Sequence, residues 1–184
     1  MQNTTSTIIA IFVAATLIFV VPLMTLTGRN DNVASENVKL IVEEFVTEVK
    51  NTGKLTQAAY QNLENRLAAT GNTYEIELEI DHLDENPGKK TAQANYTKIG
   101  ENVYYVEYTT QILNQIGVKV GSTPVSTTAD TMYLKEGDLI YVSVRNENST
   151  AAQTLKSSLF SYSNAGEYAI SASSSGMVTV TGSK

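Results

Sequence analysis

Residues 8–26 read IIAIFVAATLIFVVPLMTL, a run of 19 residues without a charged side chain. A helix of this length measures about 29 Å, close to the roughly 30 Å hydrocarbon core of a bilayer. Because a helix satisfies its own backbone hydrogen bonds, it is one of the few structures that lipid tolerates. The segment therefore predicts a helix that needs an apolar environment. Pro22 removes one backbone donor and predicts a bend or local opening, and Gly28 predicts a flexible exit.

Three interpretations of this segment are open. A cleaved secretory signal normally begins with basic residues, whereas residues 1–7 contain no Lys or Arg. A buried core helix that is apolar on every side is uncommon in a small domain. A retained membrane helix fits the length and composition, and it is our prediction. Arg29 is the basic residue nearest to the segment, so the positive-inside rule says little about the orientation of the helix. We therefore infer an outward-facing domain from composition alone.

The residues after the apolar segment have a helical pattern. Asp31 or Ser35 can start an amphipathic helix over about residues 32–51, and Asn51-Thr52-Gly53 can end it. Thr56 can cap a second helix over about residues 56–70. The apolar stripes of these helices are expected to face the core; they comprise Val38, Ile41, Val42, Phe45, Val46 and Val49 in the first helix and Tyr60, Leu63 and Leu67 in the second.

The period changes from helical to alternating at Tyr74 and predicts strands from there onward. Residues 74–81 alternate apolar and acidic side chains, as a half-buried strand does. In chain order we then predict a turn at 86–88, a strand at 92–99, a strand at 103–113, a loop at 117–130, a hairpin of 132–134 with 139–144, a helix at 150–160 capped by Ser149 or Thr150, and a hairpin of 168–172 with 177–180.

The predicted fold class is α+β. A hydrophobic N-terminal helix continues into the amphipathic helix, and a second helix and a mainly antiparallel β domain follow. The expected division is a membrane or filament-core helix at residues 1–30 and a globular domain at residues 31–184.

The composition argues against several kinds of chemistry. The chain has no Cys, which excludes thiolate sites, and it has one His. Its net charge of −6 disfavours nucleic-acid binding. No motif for a nucleophile, a zinc site or a phosphate loop occurs. We therefore expect no enzymatic activity, no metal and no cofactor. The single His82 is expected to be a surface or packing residue.

A row of acids on the first strand leaves two readings. Glu75, Glu77, Glu79 and Asp81 would stand on one face, about 6.6 Å apart. They would form a solvated face, paired with Lys89, Lys90 and Lys98 of the next strand, or bind Ca²⁺ if another strand supplied oxygens. We predict the solvated face.

The order of these segments resembles type IV pilins, pseudopilins and related Tad-type envelope proteins. An apolar N-terminal helix runs into an amphipathic one and a β-rich domain follows, and Pro22 lies where many pilins bend this helix. Mature pilins usually carry a glutamate inside the apolar helix, whereas here no acid precedes Asp31. The resemblance implies a subunit that is first held in the membrane and later packs its helix against copies of itself.

We accordingly predict a structural pilin-like subunit of a surface filament or secretion apparatus. Its partners would be membrane lipid, copies of itself and other envelope assembly proteins, and its location a cell membrane with an extracytoplasmic domain or an extracellular filament. The alternative is a membrane-tethered binding module, such as an adhesin or conjugation component, that does not polymerise. The predicted assembly residues are Ile8, Ile9, Ile11, Phe12, Leu17, Ile18, Phe19, Val20, Pro22 and Leu23.

Overall fold

The computed structural model describes residues 2–83, 104–119, 121, 129–160 and 170–183. These residues form four helices and six strands. In chain order they are α1 (Gln2–Thr52), β1 (Lys54–Thr56), α2 (Gln57–Ala68), β2 (Tyr74–Leu83), β3 (Tyr104–Tyr108), α3 (Thr109–Gln115), β4 (Thr131–Tyr133), β5 (Leu139–Asn146), α4 (Ala151–Phe160) and β6 (Ser171–Met177).

The predicted apolar and amphipathic helices form the single 51-residue helix α1. Pro22 does not interrupt it, and the predicted flexible exit at Gly28 is wrong, because Gly28 lies inside the helix. Asp31 and Ser35 are likewise interior residues and start no helix. A glycine in a helix costs only about 1 kcal/mol relative to alanine. The hydrogen bonds of the long helix on both sides of Gly28 offset that cost, since helix propagation is cooperative.

The predicted end of α1 is confirmed at Gly53. This residue has a φ of 63°, a conformation that favours glycine, and its N–H donates to the Val49 carbonyl at 2.8 Å. The predicted cap of α2 is also confirmed, because the Thr56 hydroxyl accepts the Ala59 N–H at 3.0 Å. Both short-range signals act as the sequence indicates.

A four-stranded antiparallel sheet carries the fold, in the order β3-β2-β5-β6. The alternation in β2 is confirmed: Leu78 and Ile80 are buried, whereas Glu75 and Glu77 are exposed. The C-terminal half of α1 packs on the buried side of β5 and β6. The observed architecture is therefore α+β, as predicted.

The last strand differs from the prediction. The expected hairpin of 168–172 with 177–180 is wrong, because the residues between its two strands belong to one continuous strand, Ser171–Met177, which pairs with β5; residues 168 and 169 lie outside the described residues. Gly176 lies inside this strand at a position where α1 approaches closely. A Cβ on Gly176 would lie 3.0 Å from Cδ of Lys50 and 3.4 Å from Cγ1 of Val46. The lack of a side chain at Gly176 thus lets α1 approach this strand.

The strand predicted at 103–113 is half right. It ends at Tyr108, and α3 begins at Thr109. The Thr109 hydroxyl accepts the Leu78 N–H at 2.8 Å and donates to the Leu78 carbonyl at 3.1 Å. A side chain therefore replaces the backbone partner that a longer strand would have supplied, and the chain turns into a helix.

The hairpin predicted from 132–134 and 139–144 is also wrong in its pairing. Both strands exist, and Gly137 lies in the turn between them with a φ of 97°. However, β4 pairs with β1, a short strand that the alternation rule missed. The Gln57 N–H donates to the Asp130 carbonyl at 2.7 Å and extends this pairing. The helix predicted at 150–160 is confirmed as α4, with Thr150 as its cap.

The turn predicted at 86–88, the strand predicted at 92–99 and the partner lysines Lys89, Lys90 and Lys98 lie outside the described residues. The same is true of most of the predicted loop at 117–130, of which only residues 117–119, 121, 129 and 130 are described.

Candidate functional site

The predicted assembly residues lie on the part of α1 that extends away from the sheet. Nine of the ten are exposed, and Val20 is half-buried. Phe12 and Phe19 are the most exposed, at 72% and 76%. An isolated molecule would therefore present a large apolar surface to water, far larger than soluble monomers normally expose.

Among the described residues, α1 is the one helix long and apolar enough to cross a membrane. None of its most apolar window is buried inside the protein. This observation removes the buried core helix from the three interpretations of the segment. The length and composition remain those of a membrane anchor or a signal sequence.

The few polar side chains of this segment are satisfied within the helix. The hydroxyl of Thr16 donates to the Phe12 carbonyl at 2.8 Å, and that of Thr25 to the Val21 carbonyl at 3.0 Å. Hydroxyls bonded in this way do not need water, so they cost little in an apolar environment. These two hydroxyls therefore do little to make the surface of the segment polar.

The exposed apolar surface continues past the predicted segment. Val33 and Leu40 are also exposed, although they lie on the half of α1 that packs against the sheet with its other face. Neither residue belongs to an unbroken apolar run, so neither was predicted as an assembly residue. Their signal was a spacing of seven residues from Leu26, which is visible in the sequence.

A polar junction surrounds the point where α1 leaves the globular part. The Thr150 hydroxyl donates to Oδ2 of Asp31 at 2.7 Å and connects α1 to the start of α4. Nearby, the side chain of Asn148 donates to Oδ1 of Asn72 and accepts the Thr73 N–H at 2.8 Å. These bonds fasten the ends of α2 and α4 beside α1 and fix the direction in which the apolar segment projects.

The outer face of the sheet, opposite α1, is polar and aromatic. The register places Tyr108, Glu79, Tyr141 and Ser175 side by side across all four strands. A shallow depression lies over this row and is lined by both tyrosines. The surface offers aromatic rings and a carboxylate for binding. Its residues do not suggest a particular reaction.

The acidic row of β2 has a basic partner in β5. The Arg145 side chain donates to Glu75 and to Glu77, each at 2.8 Å. Arg145 on β5 thus forms ion pairs with the acidic row of the kind that were predicted for Lys89, Lys90 and Lys98. In the part of the chain that the structure describes, no group of three metal-binding side chains forms.

The single histidine is a packing residue. Nδ1 of His82 lies 3.0 Å from Oδ2 of the buried Asp138, and its ring stacks on Tyr105 with 4.8 Å between centroids. The Asp138 carboxylate also accepts the N–H groups of Leu83 and Lys135, both at 2.9 Å. The cluster ties the end of β2 to β3 and to the turn before β5.

One further side chain has a perturbed acidity. Burial raises the pKa of Tyr60 above its ordinary range, and the neighbouring Glu64 carboxylate raises it further. The phenol lies in the core on α2 and does not line the depression described above, so its shift reflects packing instead of a reaction.

The described residues thus present an exposed apolar helix and a tyrosine-flanked sheet face, and both suit association. The helix is the larger and more unusual of the two, since apolar side chains without cover are costly in water. We find no family model, no curated protein and no solved structure that matches this chain.

Proposed function

We propose that the protein is a structural, pilin-like subunit of a surface filament or secretion apparatus. It would be held first in a membrane by the N-terminal segment of α1 and would then assemble through the same segment. One observation carries the proposal: the two halves of a single helix differ in what covers them. Its C-terminal half packs on the sheet, and its N-terminal half projects with its apolar side chains uncovered.

The magnitude of the apolar surface supports a covered segment. Burying one large apolar side chain is worth about 1.5–3 kcal/mol. Eight of the predicted assembly residues are large apolar side chains that are 49–76% exposed, and together they would gain on the order of 10 kcal/mol from leaving water, if the gains add. This amount is comparable to the stability of an ordinary domain. Lipid or the helices of sister subunits would supply the cover.

The continuity of α1 supports a structural role in force transmission. No loop separates the apolar segment from the part that packs on the sheet. The globular domain would therefore follow the position of the segment as a rigid attachment. In such a subunit the domain would face outward, with other envelope assembly proteins as transient partners.

The test is assembly of the full-length chain in its native host. Material sheared from the cell surface is pelleted, examined by electron microscopy and subjected to N-terminal sequencing. Filaments that contain the intact apolar segment are expected. Phe19→Glu should abolish them, because it places a charge in the covered surface. Leu159→Glu, at an exposed apolar position of α4, is the matched control and should leave them intact.

A second function is favoured by the tyrosine-flanked depression on the sheet. In this alternative the protein is a membrane-tethered binding module, such as an adhesin or an accessory protein of secretion or conjugation, and it stays monomeric. Tyr108 and Tyr141 would form the contact surface. A detergent-solubilised chain that remains monomeric at every concentration, and never appears in sheared material, would favour this function over the first.

A further inference from the structure

A polar pocket lies at the point where α1 leaves the globular part. It opens between α1, the end of α2 and the start of α4, and we call it the junction pocket. Amide and hydroxyl groups dominate its lining, which includes Thr27, Asn30 and Asn37 of α1, Asn72 after α2, and Asn148 and Ser149 before α4. A concave site with polar groups that converge from several elements is a usual arrangement for binding a small polar group.

Hydrogen bonds between the three elements hold the walls of the junction pocket. The Asn148 side chain donates to Oδ1 of Asn72 at 3.0 Å. The Thr150 hydroxyl donates to Oδ2 of Asp31 at 2.7 Å, and both residues line the pocket. The walls are therefore fixed without a ligand, so a ligand would bind without the cost of ordering them.

The junction pocket lies at the level of the lipid headgroups. The apolar run ends at Leu26, and Thr27 is the next residue of the helix. At roughly 1.5 Å per residue, Thr27 stands about 1.5 Å and Asp31 about 7.5 Å beyond Leu26. The headgroup layer is about 5–8 Å thick on each side of the hydrocarbon core. With residues 8–26 in the membrane, the lower part of the pocket therefore meets headgroups, and its upper part, up to Asn37, rises above them.

The charge of the junction pocket argues against a phosphate group. Asp31 is the one charged side chain among the described residues that line it. Arg29 is adjacent to Asn30 in sequence but does not line the pocket. Anionic lipids are bound by clusters of Lys and Arg, and the Asp31 carboxylate would repel a phosphate. A zwitterionic headgroup also carries a phosphate that this pocket cannot neutralise, so an uncharged headgroup fits it best.

The hydroxyl groups of a sugar match the free polar groups of the junction pocket. Neither the Asn30 nor the Asn37 side chain has a hydrogen bond among the described residues. An amide side chain both donates and accepts, as a sugar hydroxyl does, so the two can pair without a charge. Val33 is 59% exposed and lines the same pocket, where it offers an apolar contact to the C–H groups of a sugar ring.

We propose that the junction pocket binds the uncharged glycosyl headgroup of a membrane glycolipid. Such a headgroup starts in the layer that surrounds Thr27 and rises along α1. Two hexose rings fit the height of the pocket better than one, because Asn37 stands about 16 Å beyond Leu26. This inference rests on the membrane location of residues 8–26, which both proposed functions share, and does not require assembly into a filament.

Lipid retention by the full-length chain tests this site. The chain is reconstituted into phosphatidylcholine nanodiscs that contain equal small shares of diglucosyl diacylglycerol, phosphatidylglycerol and phosphatidylethanolamine. The lipids that stay bound after transfer to detergent are counted by native mass spectrometry. The diglucosyl lipid should be retained at least about tenfold more than either of the other two. A preference for phosphatidylglycerol or phosphatidylethanolamine, or no preference, would overturn the proposal.

Paired variants test whether the lipid lies in the junction pocket. N30A/N37A removes two exposed lining amides, and alanine favours the helix at both positions. It should lower retention of the diglucosyl lipid about tenfold, because two hydrogen bonds are lost. The control N32A/N51A removes two exposed amides of α1 that do not line the pocket, and it should retain the lipid as the original chain does. Equal retention by the two variants would contradict the proposal.

Methyl glucoside distinguishes a lipid headgroup from a free sugar. Dissolved methyl glucoside at the concentration of the diglucosyl lipid should displace little of it, because the acyl chains of the lipid hold its headgroup at the pocket. Complete displacement would mean that the pocket recognises soluble sugars, and it would overturn the assignment to a headgroup.

Flotation with vesicles separates this inference from the proposed function. The original chain and N30A/N37A should both float with phosphatidylcholine vesicles, since the apolar segment is intact in both. Flotation without retention of the diglucosyl lipid would remove the pocket assignment and leave the membrane-held subunit standing. An original chain that does not float would remove both.

Discussion

The hydroxyl of Thr150 donates a hydrogen bond to Oδ2 of Asp31 over 2.7 Å, and it joins two helices that are 119 residues apart in sequence. Thr150 is buried and also accepts the Gln153 N–H at 3.3 Å as the cap of α4. The bond lies close to the level at which α1 emerges from the globular part. It therefore holds the base of the projecting segment.

Removal of the Asp31 carboxylate should loosen α4. Asp31→Ala leaves the buried Thr150 hydroxyl without its acceptor, at a cost of about 1–3 kcal/mol. Hydrogen exchange of the α4 amides should accelerate, while β2 and β5 should change little. Asn32→Ala, at the exposed neighbouring position, is the control. Equal exchange of α4 in both variants would mean that this bond does not hold the helix.

Substitution by alanine should change the stability of the protein in opposite directions at Gly28 and at Gly53. Gly53 has a positive φ, and an added Cβ would collide with the backbone of Val180 and Gly182. Gly53→Ala should therefore cost at least about 1–3 kcal/mol. Gly28 lies inside α1, and a Cβ there meets nothing within 4 Å.

Gly28→Ala should accordingly stabilise the helix by up to about 1 kcal/mol. Thermal unfolding of the full-length chain in detergent, followed by circular dichroism, measures both variants. A melting temperature that falls equally for the two would contradict the continuous path of α1 through Gly28.

Loss of the buried Asp138 carboxylate should destabilise the protein. Its carboxylate accepts two backbone N–H groups and lies 3.0 Å from Nδ1 of His82. Asp138→Asn puts an amide donor against at least one of these donors and should cost about 2–4 kcal/mol. Urea unfolding measures the loss, and Glu136→Gln on the exposed surface of the same turn should be nearly neutral. A neutral D138N variant would refute this account of the cluster.

Tyr60 should make stability fall at alkaline pH. Its pKa is raised in the folded protein, so the unfolded chain releases this proton first, near the ordinary value of 10.0. Stability is therefore full below about pH 10 and declines as the pH rises above it. Tyr60→Phe should reduce that decline. Unfolding at pH 8 and pH 11 measures the difference, and an unchanged slope in Tyr60→Phe would contradict it.

Much of the fold follows from local signals in the sequence. The alternation ending at Leu78 and Ile80 located the central strand, and Thr56 and Gly53 marked a helix start and a helix end as predicted. These signals act over a few residues, so tertiary contacts did not override them. The apolar segment was also easy to recognise, because its length as a helix matches the thickness of the hydrocarbon core of a bilayer.

The errors arose where a distant contact decides the local structure. Gly176 resembles a turn residue, yet the approach of α1 requires it within a strand. Thr109 has good strand propensity, yet its hydroxyl bonds to Leu78 and ends the strand. The pairing of β4 with β1 joins segments about 75 residues apart and left no local trace. Val33 and Leu40 were missed because isolated apolar residues give a weak apolar signal.

The central claim is that the N-terminal half of α1 stays on the protein and is covered by lipid or by sister helices. Thiol accessibility in the host cell tests it most directly, since a single Cys can be introduced into a chain that has none. Phe12→Cys, Phe19→Cys and Lys39→Cys are exposed to a membrane-impermeant maleimide before and after denaturation.

We expect the chain to sediment with membranes or filaments and the Cys at position 39 to react at once. Cys at Phe12 and Phe19 should react only after denaturation. A mature chain that begins near Glu36, or a freely soluble chain in which all three positions react at the same rate, would contradict the account.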